Sequence, residues 1–162
     1  MDPDAYLCQL AEIFNGISVN TPSLSAIIAI ILAGLLLLAS GFASASEIAF
    51  FSLSPSDLND IEEGNHPSDG KISNLLADSE RLLATILITN NFVNVTIIML
   101  CNFFFMNVFV FHSPLAEFLI LTVILTFLLL LFGEIMPKIY SAQKTLAFCR
   151  FSAPVIYMLR KV

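Results

Sequence analysis

The sequence predicts an all-α integral membrane protein with three transmembrane helices and short amphipathic helices beside the membrane. Of its 162 residues, 57% are hydrophobic and only 12% are charged, about half the charge density of a soluble domain. The apolar residues are also grouped in long runs, as expected when the surroundings are lipid. This composition excludes a disordered chain, a disulfide-rich secreted domain and an ordinary soluble enzyme.

Residues 1–22 form a polar, mildly acidic segment ahead of the first apolar run. The segment contains no Lys or Arg, so it lacks the basic start of a cleavable signal peptide. Its apolar residues recur at helical spacing, which predicts a short extracytoplasmic helix at the membrane interface. These residues are Leu7, Leu10, Ile13, Phe14 and Ile17.

The first predicted span covers residues 24–51 and changes character along its length. Residues 26–39 are almost wholly aliphatic, whereas residues 40–47 combine serines and a glutamate with Gly and Ala. Small residues let helices approach closely, and Ser44 and Glu47 fall on one face. Because about 20 residues cross the hydrocarbon core, Glu47 is expected near the far interface.

Residues 52–81 are the one long polar stretch and are expected to lie at the membrane surface. The run Ser54-Pro55-Ser56-Asp57 is typical of a helix N-terminus. A short helix is predicted over 57–63, a loop over 64–70, and a second short amphipathic helix over 71–78.

Two further spans are predicted over about 82–111 and 115–137, joined by the turn His112-Ser113-Pro114. Thirty helical residues measure about 45 Å, longer than a straight crossing, so the second span is expected to tilt or break. The cytoplasmic tail, residues 141–162, is predicted to form one or two surface helices broken near Pro154. The transmembrane domain therefore covers residues 23–140, and the abrupt end at residue 162 indicates a domain taken from a longer chain.

The placement of the charges predicts the orientation. All seven basic residues lie after span one or after span three, at positions 71, 81, 138, 144, 150, 160 and 161. Cytoplasmic loops carry the excess of Lys and Arg. The N-terminus is therefore expected outside the cytoplasmic (inner) membrane and the C-terminus on its cytoplasmic side. Seven basic residues against thirteen acidic ones form no basic patch, so lipid is an expected partner and nucleic acid is not.

Each span carries polar residues at a depth where lipid makes them costly, and such residues mark a pathway or a site by default. They are Ser40, Ser44, Ser46 and Glu47 in span one, Asn90, Asn91 and Asn94 in span two, and Glu134 in span three, directly after Gly133 and three residues before Pro137. Their hydroxyl, amide and carboxylate oxygens are hard donors, which suit Mg²⁺ or Na⁺.

Span three adds a main-chain oxygen to this set. Pro137 lacks the amide that would bond to the Gly133 carbonyl, and broken helices offer such carbonyls to cations in transporters. A site with one carboxylate leaves a divalent ion half neutralised, so binding should be modest and reversible, as transport requires. No nucleophile–base pair competes, because His66 and His112 lie in opposite loops, and the protein is not expected to be an enzyme.

Each polar group also has a structural alternative. A serine can bond back to its own helix, the Asn pair can hold helices together, and Glu134 can pair with Lys138 one turn later. Glu47 is expected to be an interfacial or helix-pairing carboxylate. Three residues near a membrane face need no function: Glu117, Cys101 and His112.

Three motifs occur in order along the chain: SASEIAFFSL at 44–53, RLLATILITNNFVN at 81–94 and GEIMPK at 133–138. They resemble the helix signatures of the DUF21 membrane domain, which belongs to the CorC/CorB and cyclin M (CNNM) family of magnesium transport proteins. The resemblance covers about residues 24–160. It departs from the family pattern at Thr89, where a small glycine usually precedes the Asn pair.

The resemblance implies a homodimer that binds largely dehydrated Mg²⁺ in an inward-facing cavity and takes part in Na⁺-coupled Mg²⁺ efflux. By motif position, the ligands would be Ser44, Asn90 or Asn91, Asn94 and Glu134, with main-chain oxygen near Gly133. The residues implied to shape and support the kink are Ser40, Ser46, Glu47, Pro137 and Lys138.

The resemblance also implies a further cytoplasmic region and leaves two alternatives open. Family members continue into a nucleotide-binding pair of CBS domains, which is absent here, so any nucleotide would bind outside this chain. One alternative is a non-transporting membrane scaffold or regulator. The other is a site tuned to Na⁺ alone.

Overall fold

The computed structural model describes residues 4, 5, 7, 8, 11, 17–111 and 113–161. The helix predicted within residues 1–22 rests mainly on residues outside this set, and so does the expectation for His112. The helices are α1 (Leu24–Phe51), α2 (Pro55–Glu62), α3 (Asp69–Leu76), α4 (Ser79–Val108), α5 (Pro114–Leu128), a π-helical segment (Leu129–Ile135), α6 (Met136–Gln143) and α7 (Thr145–Lys161). Two short strands, β1 (Ser18–Val19) and β2 (Phe109–Val110), pair antiparallel.

Three helical stretches are long and apolar enough to cross a membrane: α1, α4 and the stretch from Pro114 to Gln143. The predicted all-α architecture with three membrane spans is therefore confirmed, and the two-residue strands are an addition that the sequence did not predict. α4 is one continuous helix of 30 residues, so the break offered as an alternative for this span does not occur.

α1 is the helix against which the other elements pack, and its buried face consists mostly of small residues. It contacts α4, the π-helical segment, α6 and α7. A Cβ at Gly41 would lie only 2.9 Å from Cγ of Pro137, so only glycine permits this approach of the third span. The small residues of the buried face are Ala26, Ala29, Ala33, Ser40, Gly41, Ala43, Ser44, Ala45, Ser46 and Ala49.

The third span contains the π-helical segment, in which the Met136 amide donates to the Leu131 carbonyl five residues back. The sequence prediction used the α-helical register and assigned the missing Pro137 donor to the Gly133 carbonyl. In the π register, the acceptor five residues before Pro137 is the Phe132 carbonyl, and this oxygen lies beside Gly41. π-Helical turns of this kind occur frequently at functional sites.

The polar segment after α1 folds as the sequence predicted, with helix bounds shifted by about two residues. Ser54 and Asp57 form a capping box, because the Ser54 amide donates to the Asp57 carboxylate at 2.9 Å and Ser54 Oγ accepts from the Asp57 amide at 3.2 Å. The hydrogen bonds from Ser54 lower the pKa of the Asp57 carboxyl below its ordinary value. The loop begins at Gly64, whose φ of +68° favours glycine.

The predicted break of the tail helix near Pro154 is wrong. Pro154 lies inside α7, and the chain leaves helical geometry ten residues earlier, at Lys144 (φ −135°, ψ 54°). A proline removes one backbone hydrogen bond, but packing of the opposite face compensates for that loss. The buried residues of that face are Cys149, Ser152, Ala153 and Ile156.

These surface helices form a core with the ends of α1 and α4. The core joins residues of five helices and includes Cys149, whose burial raises the pKa of its thiol to about 12. The basic residues predicted to face the cytoplasm lie in α3, at the start of α4, in α6 and α7, or, for Lys144, between α6 and α7. The buried core residues are Ala49, Phe50, Ile61, Ile72, Leu75, Leu82, Ile86, Cys149, Ala153 and Ile156.

A two-point ion pair fastens α3 to α7. Arg150 donates from Nε to Asp69 Oδ1 at 2.8 Å and from Nη2 to Asp69 Oδ2 at 3.1 Å, and the His66 amide donates to Oδ2 at 2.9 Å. The Asp69 side chain is fully buried. The Arg150 guanidinium holds the pKa of this carboxyl below its ordinary value, although burial acts in the opposite direction.

We expect Asp69→Asn to lower the free energy of unfolding, because it removes the charge that pairs with the Arg150 guanidinium and weakens both hydrogen bonds between them. The folded-state pKa of Asp69 is depressed, so its stabilisation is present above the unfolded-state pKa and is lost as the pH falls through the folded-state value. The difference between wild type and variant should therefore shrink below about pH 4. Denaturant unfolding in detergent at pH 7 and pH 3 measures it, with the exposed Glu62→Gln as control. Equal stabilities at pH 7 would contradict the assignment.

Candidate functional site

Three oxygen atoms converge between α1 and α4. Ser40 Oγ lies 2.9 Å from Asn90 Oδ1 and 2.6 Å from Asn94 Oδ1. Ser40 is fully buried and Asn90 is 8% exposed. A hydroxyl has one proton, so it can donate to only one of the two amide oxygens at a time. The group is therefore richer in acceptors than in donors, which is the arrangement that attracts a cation.

The local sequence explains why these residues meet. Asn90 and Asn94 are one turn apart, and the buried stripe of α4 around them places both amides toward α1. Ser40 lies on the small-residue face of α1, eleven residues from its end at Phe51. This places the group about 16 Å along the helix from that end, within the apolar part of the span.

Ser44 follows Ser40 by one helical turn, and its hydroxyl differs from those of Ser40 and Ser46 in its hydrogen bonding. Its Oγ is buried and has no hydrogen-bond partner among the described residues. A buried polar group without a partner costs about 1–3 kcal/mol, and native structures rarely keep one without a reason. A hydroxyl oxygen at this position can accept a cation.

The π-helical segment brings the backbone of the third span close to Ser40. Gly133 is buried, and a Cβ there would lie 3.2 Å from Ser40 Oγ, so the backbone approaches the serine more closely than most residues allow. Glu134 follows directly and is partly buried. Its carboxylate forms no ion pair or hydrogen bond within the described part of the chain, which leaves it available to a ligand.

The Glu134–Lys138 pair, offered as the structural alternative for Glu134, does not form. Lys138 Nζ instead lies 3.2 Å from Glu47 Oε2 and joins α6 to α1. The π-helical segment ends between Glu134 and Lys138, so the regular α-helical spacing that would align the two side chains is lost. This contact is the kind expected of Glu47 as a helix-pairing carboxylate.

The other polar residues of the spans divide between structural roles and exposed positions. Ser46 donates to the Phe42 carbonyl at 2.7 Å, the back-bond that was the structural alternative for the serines. Asn91 is exposed on α4, away from the oxygen group. Ser141, which the sequence reasoning passed over, is buried and donates to the Ala45 carbonyl at 2.6 Å. Its position beyond the predicted third span gave no signal of this role.

The donor set determines what this place can bind. Within residues 17–111 and 113–161, no three His, Cys, Asp or Glu side chains converge. The oxygens that do converge are hydroxyl and amide oxygens, and the Glu134 carboxylate follows Gly133, whose backbone approaches Ser40. Such ligands favour hard cations such as Mg²⁺ and Na⁺ over zinc or copper.

Comparison with known proteins shows similarity to a membrane-domain family and to a bacterial protein. A family model described as the cyclin M transmembrane N-terminal domain (CNNM) matches residues 30–162. A Haemophilus influenzae protein described as a UPF0053 protein is 31% identical over 126 residues, which are 78% of this chain and 29% of that protein. The chain therefore spans less than a third of the length of this relative.

We expect Ser40→Ala to destabilise the protein by about 1–3 kcal/mol in the absence of divalent cations, because the two amide oxygens lose their shared donor. Ser46→Ala is the matched control, since Ser46 is equally buried on the same helix but bonds only to its own helix. Thermal unfolding of the detergent-solubilised variants measures both. Equal melting temperatures for the two variants would show that Ser40 does not hold the amides.

Proposed function

We propose that this chain, which belongs to the cyclin M (CNNM) transmembrane-domain family, carries Mg²⁺ out across the cytoplasmic membrane in exchange for Na⁺. The family is a transporter-type, non-catalytic membrane domain associated with Mg²⁺ transport. The observation that carries the proposal is the buried, unpartnered Ser44 hydroxyl. It lies one helical turn after Ser40, whose own hydroxyl contacts the side-chain oxygens of Asn90 and Asn94. Mg²⁺ is here the transported substrate.

We propose that Mg²⁺ is held by Ser44 Oγ, the side-chain oxygens of Asn90 and Asn94, the Glu134 carboxylate and main-chain oxygen of the Gly133 region. Mg²⁺ keeps several waters in protein sites, so these ligands replace only part of its hydration shell. Ser40 keeps the two amide oxygens oriented when no cation is bound. The single carboxylate leaves the ion half neutralised, which favours release.

The orientation follows from the charges under the same proposal. The surface helices and all seven basic residues belong to the end of the bundle where α1 finishes, and cytoplasmic surfaces carry such an excess. The N-terminus is then outside, the C-terminus inside, and Gly133 and Glu134 lie on the cytoplasmic half of the third span. An ion entering from the cytoplasm would reach Glu134 within the π-helical segment.

We also propose that the domain acts as a homodimer within a longer chain. Several polar residues of α4 and α5 are exposed on the outer surface of the bundle, where lipid would leave them unsatisfied and a second copy would not. The family continues into CBS domains, so nucleotide would act through that region. The exposed polar residues are Asn91, Asn102, Thr122 and Thr126.

One observation favours a second function, that of a non-transporting scaffold or regulator. Ser40 already donates to the amides of Asn90 and Asn94, so these residues can serve simply to hold α1 against α4. On this account Asn90→Ala weakens the packing of α1 on α4, the protein shows no response to Mg²⁺, and proteoliposomes show no Mg²⁺ flux.

The transport proposal predicts that Mg²⁺ raises the melting temperature of the purified domain. The stabilisation should approach about 2.7 kcal/mol at a hundredfold excess over the dissociation constant. Ser44→Ala and Glu134→Ala should abolish it, whereas Glu117→Ala, near the opposite end of the third span, should leave it unchanged. Competition with Na⁺ tests the site tuned to Na⁺ alone, and the absence of any Mg²⁺ dependence in the wild type would overturn the proposal.

A further inference from the structure

An apolar cavity of about 330 Å³ lies on the outer side of the bundle between α1, the third span and α7. Its walls are partly exposed, with Leu38 at 72%, Tyr140 at 59% and Phe132 at 49%. Its lining along α1 runs from Leu37 to Ala45, a length of about 12 Å. One leaflet of the hydrocarbon core is about 15 Å thick, so the cavity has the depth of an acyl chain.

The cavity continues toward the membrane surface into a second one of about 270 Å³. The two share Tyr140 and Phe148, and the second adds Lys144. Lys144 is exposed and forms no ion pair among the described residues. The nearby cations Lys138 and Arg150, by contrast, are paired with carboxylates.

The two adjoining cavities, here called the groove, combine apolar walls with the unpaired cation Lys144. This combination matches the chemistry of an anionic phospholipid. We propose that the groove binds one anionic phospholipid of the cytoplasmic leaflet, with an acyl chain beside Gly41 and Phe132 and the phosphate at Lys144. Basic pockets on the cytoplasmic side of transmembrane helices bind such head groups. The inference rests on the proposed orientation but not on Mg²⁺ transport.

A lipid in this groove would contact residues that neighbour the proposed cation site in the chain. Phe132 and Pro137 line the cavity and flank Gly133 and Glu134 in the chain. The acyl chain would therefore pack against the π-helical segment that carries the proposed acidic ligand.

The sequence contains no Trp, so a single introduced Trp reports on the groove alone. Phe132→Trp and Phe148→Trp place it in the cavity, and Phe118→Trp, on the exposed surface of α5 outside the cavity, is the matched control. The variants are reconstituted without Mg²⁺ into phosphatidylcholine vesicles containing a small fraction of brominated lipid. We expect brominated phosphatidylglycerol to quench the cavity Trp with an association roughly fivefold stronger than brominated phosphatidylcholine, the factor that one interfacial lysine supplies.

Lys144→Gln should bring that ratio to about one, whereas Lys71→Gln, on the exposed side of α3, should preserve it. Phe118→Trp should be quenched equally by both lipids. A ratio near one in both cavity variants, or an unchanged ratio in Lys144→Gln, would overturn the proposal. If both cavity Trp residues were shielded from either lipid while Phe118→Trp was quenched, a second protein copy would occupy the groove instead. Since no Mg²⁺ is present, failure here is independent of the transport proposal.

Discussion

The close approach of α1 to α4 and to the third span is the constraint on which the other features depend. Within a bilayer, apolar side chains gain little by leaving lipid for another helix, so association relies on close packing and hydrogen bonds. The small-residue face of α1 provides the packing, most tightly where Gly41 meets Pro137. It also brings Ser40 within hydrogen-bonding distance of both asparagines, and lets Ser141 bond to the Ala45 carbonyl.

This packing satisfies most of the polar groups in the spans and leaves a few that point to function. Ser46 bonds to its own helix and Lys138 neutralises Glu47, so these residues stabilise the bundle. Ser44 has no partner among the described residues, and Glu134 forms no ion pair there. Unpartnered groups of this kind are what the proposed ion site requires, because the ion would be their partner there.

The sequence predicted features that depend on local chemistry and missed those that depend on packing. The bounds of α1 follow from hydropathy, and the capping box follows from the spacing of Ser54 and Asp57. The four-residue spacing of Asn90 and Asn94 likewise predicted that both amides share one face. The helix through Pro154 could not be predicted, because the contacts that hold it lie on distant elements. The π-helical register was also inaccessible from the chain alone, and it determines which carbonyl loses its donor and whether Glu134 reaches Lys138.

The central claim is that Ser44, Asn90, Asn94 and Glu134 surround one Mg²⁺ ion. An experimental structure of the protein in lipid with Mg²⁺ tests it most directly. The account predicts density for one ion among these side chains, with about six oxygen ligands, some of them water, near 2.1 Å. A well-resolved structure in Mg²⁺ with no ion there, and with Ser44 and Glu134 bonded to other protein groups, would contradict it.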